Sequence, residues 1–365
     1  MSAGRFAPSP SGDMHIGNLR TAALAWVWAR RSGRDFVLRV EDIDRVQPGA
    51  ADRQVEHLEL LGLDWDGPVL MQSSRHREHL AALAQLQAAG RLFECYCSRR
   101  DIAAAARAPH TPPGFYPGTC LHLSAAQRQA QRQRLADLGR APALRLRPAV
   151  ESWSATDELH GQVSEPIDCV VLQRGDGAVA YNLAVVVDDA FQGVDQVVRG
   201  DDLLFTAPTQ AYLARELGLP EPTYAHVPLV LNTEGARLAK RDGAVTLPQL
   251  LAAGWTLVRV WREMAASVGI DEDVDSAGEF LQAFEVARMP REPWVFIPPA
   301  ATPADATAPA SPSQSMPGAT PADATAPAPP SQSMLGATPT DATAPAPSSQ
   351  STPDAATGEG TSGGK

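Results

Sequence analysis

Arg5-Phe-Ala-Pro-Ser-Pro-Ser-Gly-Asp-Met-His-Ile-Gly-Asn18 sets a short apolar strand, a Pro/Gly turn and a helix start in direct succession. The strand is read over residues 5–7. The helix is read over 16–32, where Leu19, Ala22, Ala23, Trp26 and Val27 recur at helical spacing. Asp-Phe-Val-Leu-Arg-Val at 35–40 reads as the next strand. A helix between two strands is a connection long enough for a parallel crossover. Further helices are expected over 54–61 and 75–89, stopped by Gly62 and Gly90, and over 209–217. Strands are expected over 196–199, 226–231 and, as the most strand-like run of the chain, 179–187 (Val-Ala-Tyr-Asn-Leu-Ala-Val-Val-Val). A helical region begins at 246–263 and continues to about Met289. Alternating strands and helices with ligand motifs at strand ends predict an α/β fold with a doubly wound parallel sheet.

The folded body is expected to stop near residue 296. From about Ile297 the sequence turns to Ala, Pro, Thr, Ser and Gln, and 301–318 recurs as 319–336 and 337–354. Each unit lacks the large apolar residues needed to bury a face, so a disordered tail over 297–365 is expected rather than a solenoid. The formal charge of −11 argues against non-specific nucleic-acid binding. A local patch built from Arg128, Arg132, Arg134, Arg140, Arg145 and Arg147 could still meet an RNA; a solvated helix face is the alternative. No signal-peptide pattern and no run of about 18 apolar residues is present. A cytoplasmic enzyme with reduced cysteines, no membrane partner and a monomeric state is the expectation.

The chemistry concentrates in two places. The turn at 8–12 lets backbone approach a ligand, Gly17 leaves room for a flat base, and the helix start offers unpaired N–H groups to phosphate. His15 can donate to a phosphate oxygen as charge builds there. Far along the chain, Arg237-Leu-Ala-Lys-Arg-Asp-Gly243 directly follows a strand and carries Lys240 between Arg237 and Arg241. Arg5 and Arg199, each at a strand end, suit carboxylates, and Glu41 suits an ammonium, the groups that an acidic amino acid presents.

This pair of motifs resembles the HIGH and KMSKS signatures of class I aminoacyl-tRNA synthetases, and Arg5–Gly12 is similar to their glutamate-type version. The resemblance covers residues 4–296. It implies that His15 and Lys240 are catalytic, and that His15, Gly17 and Lys240 bind ATP, with Mg²⁺ on the triphosphate. It implies an amino-acid site of Arg5, Phe6, Ala7, Pro8, Ser9, Glu41, Tyr181 and Arg199, on the strings VEDID, AYNLAVVVDD and VVRGDDLL. The chain departs from the pattern at Asn18, where a second histidine would stand, and at Arg237 and Ala239, where a lysine and a serine would stand.

Cys95-Tyr-Cys97 and Cys120 offer three thiols to a structural zinc, with His110 or His122 as the fourth ligand on chemistry alone. The resemblance points instead to Tyr116. The implied organisation is a first catalytic half at 1–92, a zinc-binding insertion at 93–122 and an acceptor-side insertion with the second half at 123–245. A helical region at 246–296 and the tail complete it. With this insertion, and with a repeat tail where an anticodon-reading domain would follow, the chain is similar to the glutamyl-queuosine tRNA(Asp) synthetases. That family would activate glutamate as glutamyl-adenylate without tRNA and transfer it to queuosine at the wobble position of tRNA(Asp). Two alternatives stand beside it: a minimal glutamyl-tRNA synthetase charging a 3′ end, and a non-catalytic binding protein.

Overall fold

The computed structural model describes residues 2–98, 100–102, 115–238 and 245–299. Its strands are β1 (Ala3–Phe6), β2 (Asp35–Val40), β3 (Leu70–Met71), β4 (Leu92–Cys95), β5 (Ala143–Leu146), β6 (Ser152–Asp157), β7 (Gly161–Pro166), β8 (Val171–Gln173), β9 (Val194–Gly200), β10 (Thr223–Val227), β11 (Val230–Leu231) and β12 (Trp294–Val295). Its helices are α1 (Ile16–Arg31), α2 (Ala50–Leu60), α3 (His76–Ala88), α4 (Ala125–Asp137), α5 (Tyr181–Phe191), α6 (Ala207–Leu217), α7 (Leu247–Ala252), α8 (Leu257–Ala266) and α9 (Ala277–Ala283).

Seven strands form the main sheet in the order β3-β2-β1-β9-β10-β6-β7. Every neighbouring pair is parallel except β6 with β7. The chain leaves β1 to build one side through β2 and β3, and returns at β9 to build the other through β10. The order therefore reverses between β1 and β9, and the crevice beyond their C-terminal ends is where open α/β sheets bind ligands. Arg5 and Phe6 close β1 at that crevice, and Arg199 and Gly200 close β9.

Helix α1 fills the first crossover and is buried on nearly every face. It lies between β1 and the C-terminal helices, with Trp28 against Phe284 at 5.4 Å between ring centres. Gly4 permits this closeness: a Cβ there would sit 2.8 Å from the Ala29 Cβ. Arg20, also on α1, is buried and tied to the Pro228 carbonyl and to Ser267, which locks the helix to both halves of the chain.

Three sequence expectations change. Residues 179–187 are not a strand; most of them form α5. A buried apolar run reads alike in either state, and here Leu183, Ala184, Val185 and Val186 are buried in one cluster with Leu83 and Leu86 of α3 and Tyr212 and Leu213 of α6. The strand expected over 226–231 is split at Pro228, which has no N–H for a sheet ladder. Its second piece, β11, pairs in parallel with β12. The helical region after residue 246 is three short helices, interrupted at Gly254 and Gly269 with φ of 86° and 80°. Residues 92–95 form β4, which pairs antiparallel with β5. Residues 103–114, which include His110, and all but 297–299 of the expected tail lie outside the described residues. Among the described residues no helix is long and apolar enough to cross a membrane.

Candidate functional site

The turn after β1 is held by backbone and side-chain hydrogen bonds. The Glu41 amide donates to the Pro8 carbonyl (2.9 Å) and the Gln47 amide to the Pro10 carbonyl (2.8 Å). Buried Gln54 of α2 donates from Nε2 to the carbonyls of Ser9 (3.1 Å) and Gly12 (2.7 Å). Gly12 takes φ of 135°, a conformation side chains disfavour. Phe6 is buried, while Ala7, Pro8 and Ser9 are half-buried along the rim of the crevice.

His15 is the N-cap of α1. Its Nδ1 accepts the Asn18 amide, and the Asn18 Oδ1 accepts the His15 amide, both at 3.3 Å. Asn18, the departure from the second histidine, thus completes a capping box. Since Nδ1 accepts, a neutral His15 carries its proton on Nε2. Gly17 has a role beyond the one expected. A Cβ there would meet the His15 ring at 3.0 Å and Val230 at 3.2 Å, so its smallness seats the imidazole.

Lys240 lies in 239–244, outside the described residues. Both flanks of that segment are fixed at the helix start. The Leu238 amide donates to the Val230 carbonyl (3.2 Å), and Val245–Leu247 pairs with Met14–Ile16 through Ile16 N–H to Val245 O (2.9 Å) and Leu247 N–H to Met14 O (3.1 Å). Arg237 forms an ion pair with Asp202.

Arg5, Glu41, Tyr181 and Arg199 gather at the switch point. Burial raises the phenol pKa of Tyr181 at the start of α5, and the charges of Arg199, Glu41 and Arg5 all act on it. Burial also pushes the Glu41 carboxyl up, against the opposing charges of Arg39 and Arg5. Sequence reasoning did not single out the groups that hold these four. Asp189 of α5 pairs with Arg5 (3.4 Å) and with fully buried Arg39 (2.7 Å), and Arg39 reaches Glu41 at 3.4 Å. Its neighbour Asp188 receives Gln72 (3.0 Å), Arg75 (2.8 Å) and His79 (2.9 Å). Burial would raise the Asp188 pKa, but the hydrogen bonds of His79 and Arg75 bring it below the ordinary value. Arg199 donates to His226 Nε2 (3.0 Å), Gln210 Oε1 (2.7 Å), the Leu203 carbonyl (3.3 Å) and Thr206 Oγ1 (3.2 Å). Asp188 and Asp189 end the string AYNLAVVVDD, and Arg39 directly precedes VEDID; only the fold turns them inward.

The arginines considered as an RNA patch are divided. Arg145 is buried, with its guanidinium 3.9 Å from the Tyr116 ring centre, whereas Arg132 on α4 is ion-paired with Glu94.

The Sγ atoms of Cys95, Cys97 and Cys120 lie within 4.8 Å of one another. Cys97 and Cys120 are 3.6 Å apart, and the Tyr116 hydroxyl is 3.4 Å from Cys95 and 3.7 Å from Cys97. Tetrahedral zinc with Zn–S of about 2.3 Å sets sulfurs about 3.8 Å apart and a ligand oxygen about 3.5 Å from each. These three distances match that shape. The Cys120 amide donates to the Tyr116 oxygen at 2.9 Å, but burial and the hydrogen bonds to the Cys120 and Cys95 sulfurs hold the phenol well above its ordinary pKa. His122 is exposed and outside this cluster. Without a cation, burial holds the Cys97 thiol up to about 12, whereas at Cys95 the raising effect of burial is outweighed by hydrogen bonds of Tyr116 and Cys97 and by Arg145, so Cys97 is the thiol that needs a cation to ionise.

The family profile described as tRNA synthetases class I (E and Q), catalytic domain, matches residues 3–297. A glutamyl-Q tRNA(Asp) synthetase of Nocardia farcinica is 58% identical over 293 residues, covering 80% of this chain and 92% of the relative. A protein of the same name from Symbiobacterium thermophilum is 47% identical over 312 residues, covering 80% and 95%. A glutamate tRNA ligase structure from Elizabethkingia meningosepticum superimposes with a TM-score of 0.64 over 82% of this chain and 67% of that one; at 22% identity it shows the shared fold. The chain is therefore a ligase that belongs to the class I tRNA synthetases of the E and Q type and groups with the glutamyl-Q tRNA(Asp) synthetases.

Proposed function

We propose that the protein activates glutamate with ATP to glutamyl-adenylate, without tRNA, and transfers the glutamyl group to queuosine at the wobble position of tRNA(Asp). The observation that carries the reading is the cluster of buried Arg5, Glu41 and Arg199 with half-buried Tyr181 at the switch point, in a fold whose first helix is capped by His15. Arg5 and Arg199 take the two carboxylates, Glu41 the ammonium, and Tyr181 closes the end of the pocket, with Phe6–Ser9 along its rim. In the first step the α-carboxylate oxygen attacks the α-phosphorus and pyrophosphate leaves. His15, donating from Nε2, and Lys240 stabilise the charge that develops on the phosphates. Mg²⁺ bound to ATP supplies further charge neutralisation. In the second step a queuosine hydroxyl attacks the acyl carbon and AMP leaves. The relatives' name supports the tRNA(Asp) acceptor.

Cys95, Cys97, Cys120 and Tyr116 are proposed to hold one structural zinc ion, which when bound neutralises the thiolates and links β4 to the Tyr116–Cys120 segment.

Labelled glutamate, ATP and tRNA(Asp) with and without queuosine, followed by nuclease mapping, tests the whole reading. Label is expected on the anticodon-loop fragment of queuosine-containing tRNA alone. Label at the 3′-terminal adenosine would overturn the acceptor. Absence of glutamate-dependent ATP–pyrophosphate exchange, with or without tRNA, would overturn the enzyme reading.

A further inference from the structure

We propose that His226, backed by Asp157, is a specificity-determining positioning residue: a neutral imidazole that orients Arg199 without cancelling its charge, reserving the guanidinium for the carboxylate of an acidic amino acid. The inference rests on the reading of Arg199 as a carboxylate receptor.

Three buried guanidinium groups surround the pocket. Arg5 is paired with Asp189, and Arg39 with Asp189 and Glu41. Arg199 is only 6% exposed, yet among the described residues no carboxylate pairs with it. All its partners are neutral: an imidazole, a carboxamide, a carbonyl and a hydroxyl. A guanidinium has five N–H donors. These contacts use the Nε donor, one on Nη1 and both on Nη2, so the other Nη1 donor is left for a ligand. A buried cation with no fixed counter-ion is costly, and an anionic ligand relieves that cost while a neutral one does not.

The neutrality of His226 is set by its own contacts. Arg199 Nε–H donates to His226 Nε2, so Nε2 must carry a lone pair. The proton then sits on Nδ1 and is donated to Asp157 Oδ2 at 2.6 Å. Asp157 is anchored by the amides of His226, Leu159 and His160. The β9–β10 register places Arg199 directly opposite His226. Burial lowers the His226 pKa to about 4, assisted by the charge of Arg199, which agrees with this tautomer. His226 thus separates the Asp157 charge from Arg199 by the width of a ring. A carboxylate in its place would form a fixed ion pair with Arg199, like those already made by Arg5 and Arg39.

Gln and Glu are nearly isosteric, so His226→Gln and His226→Glu present Arg199 with a neutral and an anionic acceptor. Full-length wild type and both variants are compared by ATP–pyrophosphate exchange with glutamate and with glutamine. For H226E the glutamate KM is expected to rise about tenfold or more, with the glutamate-over-glutamine preference falling in proportion and the ATP KM unchanged. H226Q is expected to rescue the preference to within about threefold of wild type. A folded H226E with wild-type glutamate KM and preference would overturn the inference. If H226E does not fold, Asp157→Ala serves. It removes the acceptor that holds the proton on Nδ1, and an unchanged glutamate KM would be equally fatal. A readout independent of activity is the nitrogen NMR spectrum of ¹⁵N-histidine-labelled protein at pH 7. A neutral Nδ1–H tautomer is expected for His226, and an imidazolium or Nε2–H form would overturn the proposal. Wild type that activates no amino acid, while His226 shows the expected tautomer, would locate the failure in the proposed function instead.

Discussion

Lys240 and Lys365 are the only lysines among the chain's 31 lysine and arginine residues. Positive charge is otherwise carried by guanidinium, including Arg237 and Arg241 within the same loop. An ammonium is a compact point charge that follows a moving phosphate, whereas a guanidinium is a planar fork. Lys240→Ala is expected to lower exchange by about tenfold or more with the fold unchanged, and Lys240→Arg to restore only part of the loss; near-normal exchange by the alanine variant would refute the role. Glu41 sets a pH dependence. Its pKa is raised, first by burial, with Arg39 and Arg5 opposing. As pH falls through that raised value the carboxylate is protonated and loses its attraction for the substrate ammonium. The glutamate KM is expected to climb on acidification at a higher pH than an ordinary carboxylate would dictate, and a pH series of KM measures it.

At the scale of elements, α5 ties the two sides of the pocket together through adjacent acids. Asp189 sets Arg5 and Arg39, while Asp188 binds α5 to α3 and the turn before it through His79, Arg75 and Gln72. Asp188→Asn would leave buried cationic and polar partners without their charge, at a cost of about 3–5 kcal/mol in denaturant unfolding. The sign with pH follows from its lowered pKa. This contribution is present above the unfolded-state value of about 3.9 and is lost as pH falls through the folded one. A denaturation midpoint unchanged by D188N would show that the hub carries no net stability.

For the whole molecule, two predictions concern parts remote from the crevice. One zinc per chain is expected by elemental analysis. Tyr116→Phe should weaken retention of the metal against a chelator, leaving the stoichiometry of the untreated protein near one; equal release rates for variant and wild type would remove Tyr116 from the ligand set. The C-terminal boundary is the second. Trp294–Val295 pairs with Val230–Leu231, and Phe296 is 1% exposed beside Trp255 and Trp294. A chain ending at residue 299 is expected to melt within about 2 °C of full length, whereas one ending at 292 should lose the β11 partner and several degrees, as a thermal scan would report.

Local rules were enough for much of this protein. Strand β2 and helix α1 are legible because their apolar residues recur with periods of 2 and 3.6, and the motif residues of the crevice lie in short contiguous strings. Those rules stop where an apolar run is short. The Val-rich run 179–187 reads alike as strand or helix, and packing against α3 and α6 makes most of it a helix. They stop again where charges far apart in sequence meet. Asp189 faces Arg5 and Arg39, and Asp157 reaches Arg199 through His226, because the reversal of strand order between β1 and β9 brings their ends together. The alternation of strands and helices that makes the parallel sheet, the helix-capped turn after β1 and the thiol spacing are all written in local stretches of the chain. That Asp189 pairs with Arg5 and Arg39 while Arg199 meets only neutral groups was settled by packing, since it depends on distances between side chains that no local pattern encodes.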